Sequence, residues 1–335
     1  MSSQVFSWCF IGTGTLAKQV AAEITATDRH RIVSVISRRK EAAEEFAARF
    51  GAEASQDPRR AMEKADAVYV VTPHTTHYPY AKMALELGKP VLCEKPMTVR
   101  AAETKELFAL AAEKKVYLAE AMWTWFAPPA RKVKAWVDEG RAGRIERVET
   151  VMLANVIHYA PRLTDPKLAG GAILDSGVYP ITYLYRLFGK PSQVRCSGRI
   201  EGGVDLGDEI DLIWADGTER RIDLAIDAPG GRNEIRIVGS EGEIVTGPIN
   251  CANYAELRGK DRSVIERFEA ATTMLNEFDR VSEEIRAGRT ESAFVPPRAT
   301  MDVMEIMDEC RRQIGLVYPF ETGFAGDQET AGNKP

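Results

Sequence analysis

Three side chains of this sequence, a lysine, an aspartate and a tyrosine, have the chemistry to move a proton. Lys95 follows a short apolar run and precedes Pro96, which restricts the backbone before it. Asp175 and Tyr179 are four residues apart, so on a helix they share one face. A free phenol has a pKa of about 10, and an ammonium such as that of Lys95 lowers it when it lies close by. The alternatives are a surface lysine in a loop and a tyrosine buried in the core.

A glycine-rich segment follows the first apolar run and opens the first helical pattern. It reads Gly12-Thr13-Gly14-Thr15-Leu16-Ala17, a GxGxxA arrangement. In this context the first glycine allows a tight turn, the second lets the backbone approach a pyrophosphate, and the alanine packs the helix on the strand. We therefore expect Gly12, Gly14, Thr15 and Leu16 to bind a dinucleotide. A tight turn between strand and helix, without a ligand, is the alternative.

The end of the second apolar run predicts which dinucleotide is bound. An Asp or Glu at this position would take the ribose 2′-hydroxyl of NAD, but the segment reads Ile36-Ser37-Arg38-Arg39-Lys40. A hydroxyl and a guanidinium suit a 2′-phosphate, which a carboxylate would repel. We predict NADP, read by Ser37 and Arg38, with NAD still possible. The alternative is that these cations only begin a solvated helix.

The elements that must position these residues fall into two parts. Up to about residue 121, near-continuous apolar runs alternate with helical patterns, as in parallel strands covered on both faces. After residue 122 strands follow one another through Gly and Asp turns, which is typical of an antiparallel sheet. We predict an α/β Rossmann domain (1–121), an α+β C-terminal domain with an open, mainly antiparallel sheet (122–320), and a flexible tail (321–335).

The second part also carries a predicted set of elements. The strands are expected at residues 145–157, 193–200, 209–214, 219–226, 234–238 and 242–245, and the helices at residues 171–187, 268–287 and 298–314. A turn is expected at Pro229-Gly230-Gly231.

Composition excludes several functional classes. The 335 residues include 44 Lys and Arg against 49 Asp and Glu, for a net charge of −5, and no basic stripe indicates nucleic acid. No uncharged apolar run approaches the roughly 20 residues of a membrane span. The 5 cysteines form no CxxC pair and are expected to be reduced. Small-molecule chemistry in the cytoplasm is the expectation.

Four successive motifs resemble the glucose-fructose oxidoreductase / inositol dehydrogenase / rhizopine catabolism (Gfo/Idh/MocA) family. They are TPHTTH at 72–77, GKPVLCEKP at 88–96, EAMW at 120–123 and GGAILDSGVYP at 170–180. Tyr179 stands where many members have histidine. This variant resembles the branch that contains dimeric dihydrodiol dehydrogenase, NADP-dependent xylose dehydrogenase and glucose-fructose oxidoreductase.

The resemblance implies an NADP-preferring oxidoreductase. Hydride would pass between the nicotinamide and a secondary alcohol or hemiacetal of a sugar, polyol or trans-dihydrodiol. By resemblance Lys95 and Tyr179 are the catalytic pair, with Asp175 beside them. The remaining cofactor-binding residues implied are Thr72, Pro73, His77, Glu94 and Lys95. A keto-sugar reductase of the same fold and a catalytically silent nucleotide-sensing regulator remain alternatives, and the family implies a homodimer or homotetramer.

The substrate pocket is expected to include Lys95, Asp175, Tyr179 and three further residues: Trp123, Trp125 and His158. Relatives often place Arg or another polar residue where Trp125 stands, and an aromatic ring there would stack on a ring face. The substrate is then less polar than a free hexose. Both tryptophans are alternatively core residues, and His158 alternatively lies in a surface loop. His74 and His77 lack further ligands at metal-binding spacing, so no metal is predicted.

Overall fold

The computed structural model describes residues 5–321 of the chain, so nearly all of the predicted tail lies outside the described residues. The first sheet is built from β1 (Phe6–Ile11), β2 (His30–Ile36), β3 (Glu53–Ser55), β4 (Ala67–Val70), β5 (Val91–Glu94) and β6 (Leu118–Ala121). All of its strand pairs are parallel, and their spatial order is β3-β2-β1-β4-β5-β6. This is the doubly wound order of dinucleotide-binding folds.

Five helices connect these strands: α1 (Thr15–Thr25), α2 (Lys40–Phe50), α3 (Pro58–Glu63), α4 (His77–Glu86) and α5 (Ala101–Lys114). Every residue of β1 is buried, because alternate side chains enter two different cores. Trp8 and Phe10 face the core on one side of the sheet, and Cys9 and Ile11 face the other. Burial on both faces explains the continuous apolar runs in the sequence. The three-residue edge strand β3 was too short to predict.

The second sheet has eight strands: β7 (Ile145–Asn155), β8 (Gln193–Glu201), β9 (Val204–Ile213), β10 (Glu219–Ala225), β11 (Asp227–Gly239), β12 (Gly242–Thr246), β13 (Tyr254–Gly259) and β14 (Val264–Glu269). Their order is β14-β13-β12-β11-β7-β10-β9-β8. Among the strands of this sheet in the described residues, only β7 and β10 are parallel neighbours, so the predicted fold class, with a mainly antiparallel second sheet, is confirmed.

Two local predictions were wrong. The helix expected at 268–287 begins at Leu275, because Phe268 pairs with Ala255 in the last hairpin of the sheet. The turn expected at residues 229–231 lies inside β11, where the register with β7 shifts between Asp227 and Arg232. The segment is therefore a bulge in a long strand, which glycines accommodate as readily as a turn.

Four further helices are α6 (Pro128–Asp138), α7 (Val178–Phe188), α8 (Leu275–Arg286) and α9 (Pro297–Ile314). Helices α8 and α9 return to the first sheet: the ring of Phe278 lies 4.7 Å from that of Trp8, and Thr300 donates a hydrogen bond to Glu120. The chain after β14 therefore fastens the two sheets together. The domain limits at 121 and 320 stay a prediction. Within residues 5–321 no helix combines the length and the apolar character needed to cross a membrane.

Candidate active site

The glycine turn after β1 has the geometry of a nucleotide cradle. Gly12 has φ +125°, and a Cβ on it would lie 2.4 Å from the carbonyl oxygen of Val71, so no other residue fits without a shift. Gly14 caps the N-terminus of α1, and a Cβ there would meet no atom within 4 Å. Ala17 is fully buried against the sheet. The backbone thus leaves open space in front of the first turn of α1, where Thr15 and Leu16 lie.

The first turn of α1 also lacks an internal partner for its N–H groups. Its N-terminus has no side-chain cap and no acidic residue in the first turn. Across the cleft, the Thr72 hydroxyl is buried and has no hydrogen-bond partner among residues 5–321. Unpaired N–H groups at a helix N-terminus bind phosphate. The buried Thr72 hydroxyl, next to Pro73, lacks a hydrogen-bond partner that a polar ligand would provide. These residues fit a nicotinamide dinucleotide.

The two residues predicted to read the 2′-phosphate lie at the end of β2. The Thr13 hydroxyl lies 3.1 Å from the Ser37 hydroxyl, whose oxygen also accepts a hydrogen bond from the backbone N–H of Arg39. The Arg38 side chain is exposed and forms no ion pair within the described part of the chain. Ser37 is thereby held beside the glycine turn, while the Arg38 guanidinium is available to a ligand.

Lys95 lies directly after β5 and reaches the second domain. Its Nζ donates to the backbone oxygen of Asp175 at 2.7 Å and lies 3.4 Å from Asp175 Oδ1. The same nitrogen is 4.6 Å from the centroid of the Tyr179 ring. Burial alone would lower the pKa of Lys95, but the Asp175 carboxylate and Tyr179 outweigh it and raise the pKa. Lys95 is a buried ammonium.

The helix that presents Asp175 and Tyr179 starts with two glycines in tight contact. A Cβ on Gly170 would lie 2.5 Å from the Leu163 carbonyl oxygen, and one on Gly171, at φ +121°, would lie 2.0 Å from Asp205 Oδ1. Asp205 is fully buried on β9, and its Oδ2 accepts a hydrogen bond from the Ile173 N–H at 2.6 Å. The Gly-Gly pair lets a buried carboxylate cap this helix.

The helix does not begin as a regular α-helix. Residues Ile173–Gly177 form a π-helical turn, and α7 continues from Val178. A π turn has a wider hydrogen-bond ring than an α-helix, so the predicted four-residue spacing of Asp175 and Tyr179 does not by itself describe their arrangement. What brings the two side chains together is Lys95, which contacts both.

Asp175 is surrounded by positively charged and polar groups. Arg162 donates to Oδ1 at 2.8 Å, and His74 Nε2 lies 3.8 Å from the same oxygen. Burial would raise the pKa of Asp175, but Lys95, Arg162 and His74 hold it well below its usual range. Burial lowers the pKa of His74 to about 3, so that imidazole is neutral. Asp175 is a carboxylate whose Oδ1 is occupied, and no described residue hydrogen-bonds its Oδ2.

The pKa of Tyr179 is raised in the structure, whereas the sequence predicted that Lys95 would lower it. The Trp123 indole Nε1 donates to the Tyr179 oxygen at 3.2 Å. Lys95 and this hydrogen bond lower the pKa of Tyr179, but burial outweighs them and raises it. The expectation that Lys95 depresses the pKa is correct for its contribution and wrong for the net effect. The phenol is protonated at neutral pH.

Two buried glutamates support the loop that carries Lys95. Glu94 accepts a hydrogen bond from the Tyr69 hydroxyl at 2.5 Å, and burial raises the pKa of Glu94. Glu120 accepts from the Met97 N–H at 3.1 Å and from the Thr300 hydroxyl at 3.0 Å. Burial raises the pKa of Glu120 to about 7. The glutamates of the EKP and EAMW motifs therefore hold backbone and neighbouring elements in place.

Three predicted residues lie apart from the Lys95–Asp175–Tyr179 cluster. His77 is fully buried, with Nδ1 2.9 Å from the Pro96 oxygen and Nε2 2.8 Å from the Thr72 oxygen, so it joins two loops of the cleft. Trp125 is buried, with the Arg186 guanidinium over its ring and its own indole nitrogen unpartnered in the described structure. His158 is exposed in the turn after β7. Their roles at the site stay predictions.

Three residues of the site were not predicted from sequence: Arg162, Asp205 and Glu120. Arg162 and Asp205 lie outside the recognised motifs, and only the pairing of distant segments brings them to Asp175 and Gly171. Glu120 lies inside a quoted motif, which was the available signal. In the described residues no group of three or more His, Cys, Asp or Glu side chains is arranged to hold a metal ion.

The parallel sheet, the glycine cradle and the buried ammonium beside a phenol define a nicotinamide-dependent oxidoreductase. Two family models match the chain: an oxidoreductase family with an NAD-binding Rossmann fold, over residues 6–122, and the GFO/IDH/MocA C-terminal domain, over residues 130–245. The chain belongs to the Gfo/Idh/MocA family. The family, the enzyme class and the nicotinamide cofactor predicted from the motifs are confirmed.

Several relatives match along nearly their whole length. The chain is 30% identical over 330 residues to mouse (Mus musculus) trans-1,2-dihydrobenzene-1,2-diol dehydrogenase, covering 93% of this chain and 98% of the relative. It is 30% identical over 369 residues to D-xylose 1-dehydrogenase (NADP+) of Hypocrea jecorina, covering 93% of each. A 3-ketoreductase from Actinomadura kijaniata, solved with NADP and TDP-benzene, shares the fold with a TM-score of 0.83 and 22% identity. The match covers 93% of this chain and 98% of the ketoreductase.

Proposed function

We propose that this protein is an NADP(H)-dependent oxidoreductase that interconverts a secondary alcohol or hemiacetal with its carbonyl compound, on a sugar, polyol or trans-dihydrodiol. One observation carries the proposal: a buried ammonium, Lys95 Nζ, lies over a buried phenol, Tyr179, at the carboxyl edge of the nucleotide-binding sheet. When bound, the nicotinamide accepts or supplies the hydride. A side chain of the protein must supply or accept the proton of the same reaction.

Tyr179 is the proton carrier in this proposal. Its oxygen accepts a hydrogen bond from Trp123, and no described residue accepts its own proton, which leaves that proton for the substrate oxygen. In carbonyl reduction the phenol donates this proton, and in alcohol oxidation the phenolate accepts it. Two of the three Lys95 N–H bonds are directed at Asp175, and the third is free to polarise the substrate oxygen.

Asp175 suits a second hydroxyl of the substrate. Lys95, Arg162 and His74 all approach Oδ1, so Oδ2 is available as an acceptor. A carboxylate that stays ionised at neutral pH accepts a hydrogen bond from a substrate hydroxyl and supplies no proton to the reaction. A vicinal diol or sugar places one oxygen at Tyr179 and the next at Asp175. This geometry favours polyhydroxylated substrates over simple alcohols.

The proposal is tested by turnover on aldoses, polyols and trans-dihydrodiols, with Tyr179→Phe and Lys95→Ala as variants. Each should lose turnover by roughly a thousandfold, the size of a general acid–base contribution, while still binding NADPH. Tyr183→Phe is the matched control, because its buried hydroxyl on the same helix has no partner among the described residues. Activity retained by Tyr179→Phe would refute the proposal. NADPH binding without turnover on any substrate would support the nucleotide-sensing alternative.

Preference for NADP is proposed to rest on Ser37 and Arg38. Fluorescence titration should give a lower Kd for NADPH than for NADH, and Arg38→Ala should remove most of the difference while leaving the Kd for NADH unchanged. Arg59→Ala is the control, since this exposed arginine lies on α3 and pairs with Glu86. Equal affinity of the wild type for both nucleotides would refute the assignment.

We further propose a homodimer or homotetramer that works in the cytoplasm. The face of the second sheet turned away from its helices has a shallow groove of about 400 Å³ lined by Arg147, Glu149, Arg221, Asp223 and other residues. Alternating charges let a second copy of the same face pair with it. Sedimentation at micromolar concentration should show an oligomer that Arg221→Glu dissociates, and a strict monomer would refute this. Fractionation of cells tests the location.

A further inference from the structure

We propose that Trp123 is a positioning residue whose indole N–H stabilises the ionised form of Tyr179 and directs the phenolic proton away from Trp123. The inference rests on the proposed role of Tyr179 as proton carrier. It differs from the place in the substrate pocket predicted for Trp123 from sequence, because the contact that the structure shows is between the Trp123 indole Nε1 and the Tyr179 oxygen, at 3.2 Å.

The hydrogen bond between Trp123 and Tyr179 can run in only one direction. An indole N–H donates and has no lone pair to accept with, so the Tyr179 oxygen must be the acceptor. The phenolic proton therefore points elsewhere, and no described residue accepts it. A donor-only neighbour thus fixes the polarity of the hydrogen bond in both protonation states of the tyrosine.

Lys95 is the other group that could fix the phenol. Its Nζ lies over the ring face, 4.6 Å from the centroid, and its hydrogen bonds go to the backbone and side chain of Asp175. The ammonium therefore acts on the phenol through space. Trp123 is the one described residue that hydrogen-bonds the oxygen that ionises.

The Trp123 hydrogen bond favours the ionised form of Tyr179. A hydrogen bond to an ionised acceptor is about twice as strong as one to a neutral acceptor, so the Trp123 N–H stabilises the phenolate more than the phenol. Removing it should raise the pKa of Tyr179 by about one unit, since one unit corresponds to about 1.4 kcal/mol. Burial already raises this pKa, and Trp123 offsets part of that effect.

Alcohol oxidation needs the phenolate and carbonyl reduction needs the phenol, so a rise in the pKa of Tyr179 by about one unit should move the midpoints of both pH profiles to higher pH by the same amount. The equilibrium constant of the reaction links the two values of kcat/KM. At neutral pH, below the midpoint, Trp123→Phe should therefore lower both by the same factor, at most about tenfold. A role in packing alone would lower both directions together without moving either midpoint.

The experiment is a pair of pH profiles, for oxidation and for reduction, of the NADP(H)-saturated wild type and Trp123→Phe. Trp136→Phe is the matched control: its indole nitrogen is buried without a partner in the described structure, so it loses an equivalent N–H, and its midpoints should not move. Replacing Trp123 with 3-benzothienylalanine keeps the ring shape, removes only the N–H, and serves if Trp123→Phe does not fold.

The expected result is a rise of both midpoints by about one unit. Unmoved midpoints would overturn the inference. Tyr179→Phe separates this failure from that of the proposed function: if it is inactive while Trp123→Phe moves no midpoint, only the role of Trp123 is wrong.

Discussion

Replacing Gly171 with alanine should separate the catalytic helix from its cap. Gly171 has φ +121°, and an added Cβ would lie 2.0 Å from Oδ1 of Asp205. That carboxylate also accepts the Ile173 N–H at 2.6 Å. The alanine must therefore either displace the carboxylate or rotate the backbone, and both changes shift the π-helical turn that carries Asp175.

The size of the effect follows from these two contacts. A non-glycine residue in left-handed backbone space costs about 1–2 kcal/mol. Loss of a hydrogen bond to a charged group costs about 1.5–3 kcal/mol. Together they predict that Gly171→Ala lowers the free energy of unfolding by about 2.5–5 kcal/mol. Turnover should fall more than nucleotide affinity, because the cradle at Gly12 and Gly14 lies in the other domain.

Urea unfolding monitored by tryptophan fluorescence measures the first quantity, and kcat with NADPH titration measures the second. Gly217→Ala is the matched control, since Gly217 has φ +81° and a Cβ there meets nothing within 4 Å. Gly217→Ala should lower the free energy of unfolding only by the cost of the backbone conformation, about 1–2 kcal/mol. If Gly171→Ala costs no more than Gly217→Ala, and turnover is unchanged, the cap does not position the helix.

Two further predictions concern protons, and a third concerns the cation beside Asp175. Burial raises the pKa of Glu120 to about 7 from 4.5, so the folded state binds more protons than the unfolded state between these pH values. As the pH rises through this window, the free energy of unfolding of the wild type should fall relative to that of Glu120→Gln by up to about 3 kcal/mol, as urea titrations would show. Because the pKa of Tyr179 is raised, alcohol oxidation should accelerate into the alkaline range while reduction stays level from neutral pH, as steady-state profiles would show. Arg162→Gln removes the cation at Asp175 Oδ1 and should raise KM about tenfold with the Kd for NADPH unchanged, and an unaltered KM would contradict this.

The sequence predicted those parts of the molecule whose causes are local. The parallel strands follow from apolar runs, and the cradle follows from the spacing of Gly12 and Gly14. The predictions became incomplete where the cause was a distant segment. Nothing near Gly171 in the chain indicates that Asp205 lies against it, and no pattern around Trp123 distinguishes a ring that stacks on a substrate from one that donates to Tyr179.

The two buried carboxylates Asp205 and Glu120 act in the same way on opposite sides of the cleft. Asp205 accepts the Ile173 N–H of the helix that carries Tyr179, and Glu120 accepts the Met97 N–H of the loop that carries Lys95. Each is fixed to a sheet, and each holds a backbone N–H that is otherwise unpaired. The distance between Lys95 and Tyr179 is therefore set by the two sheets through these carboxylates. A substitution at either carboxylate should change kcat before it changes nucleotide affinity.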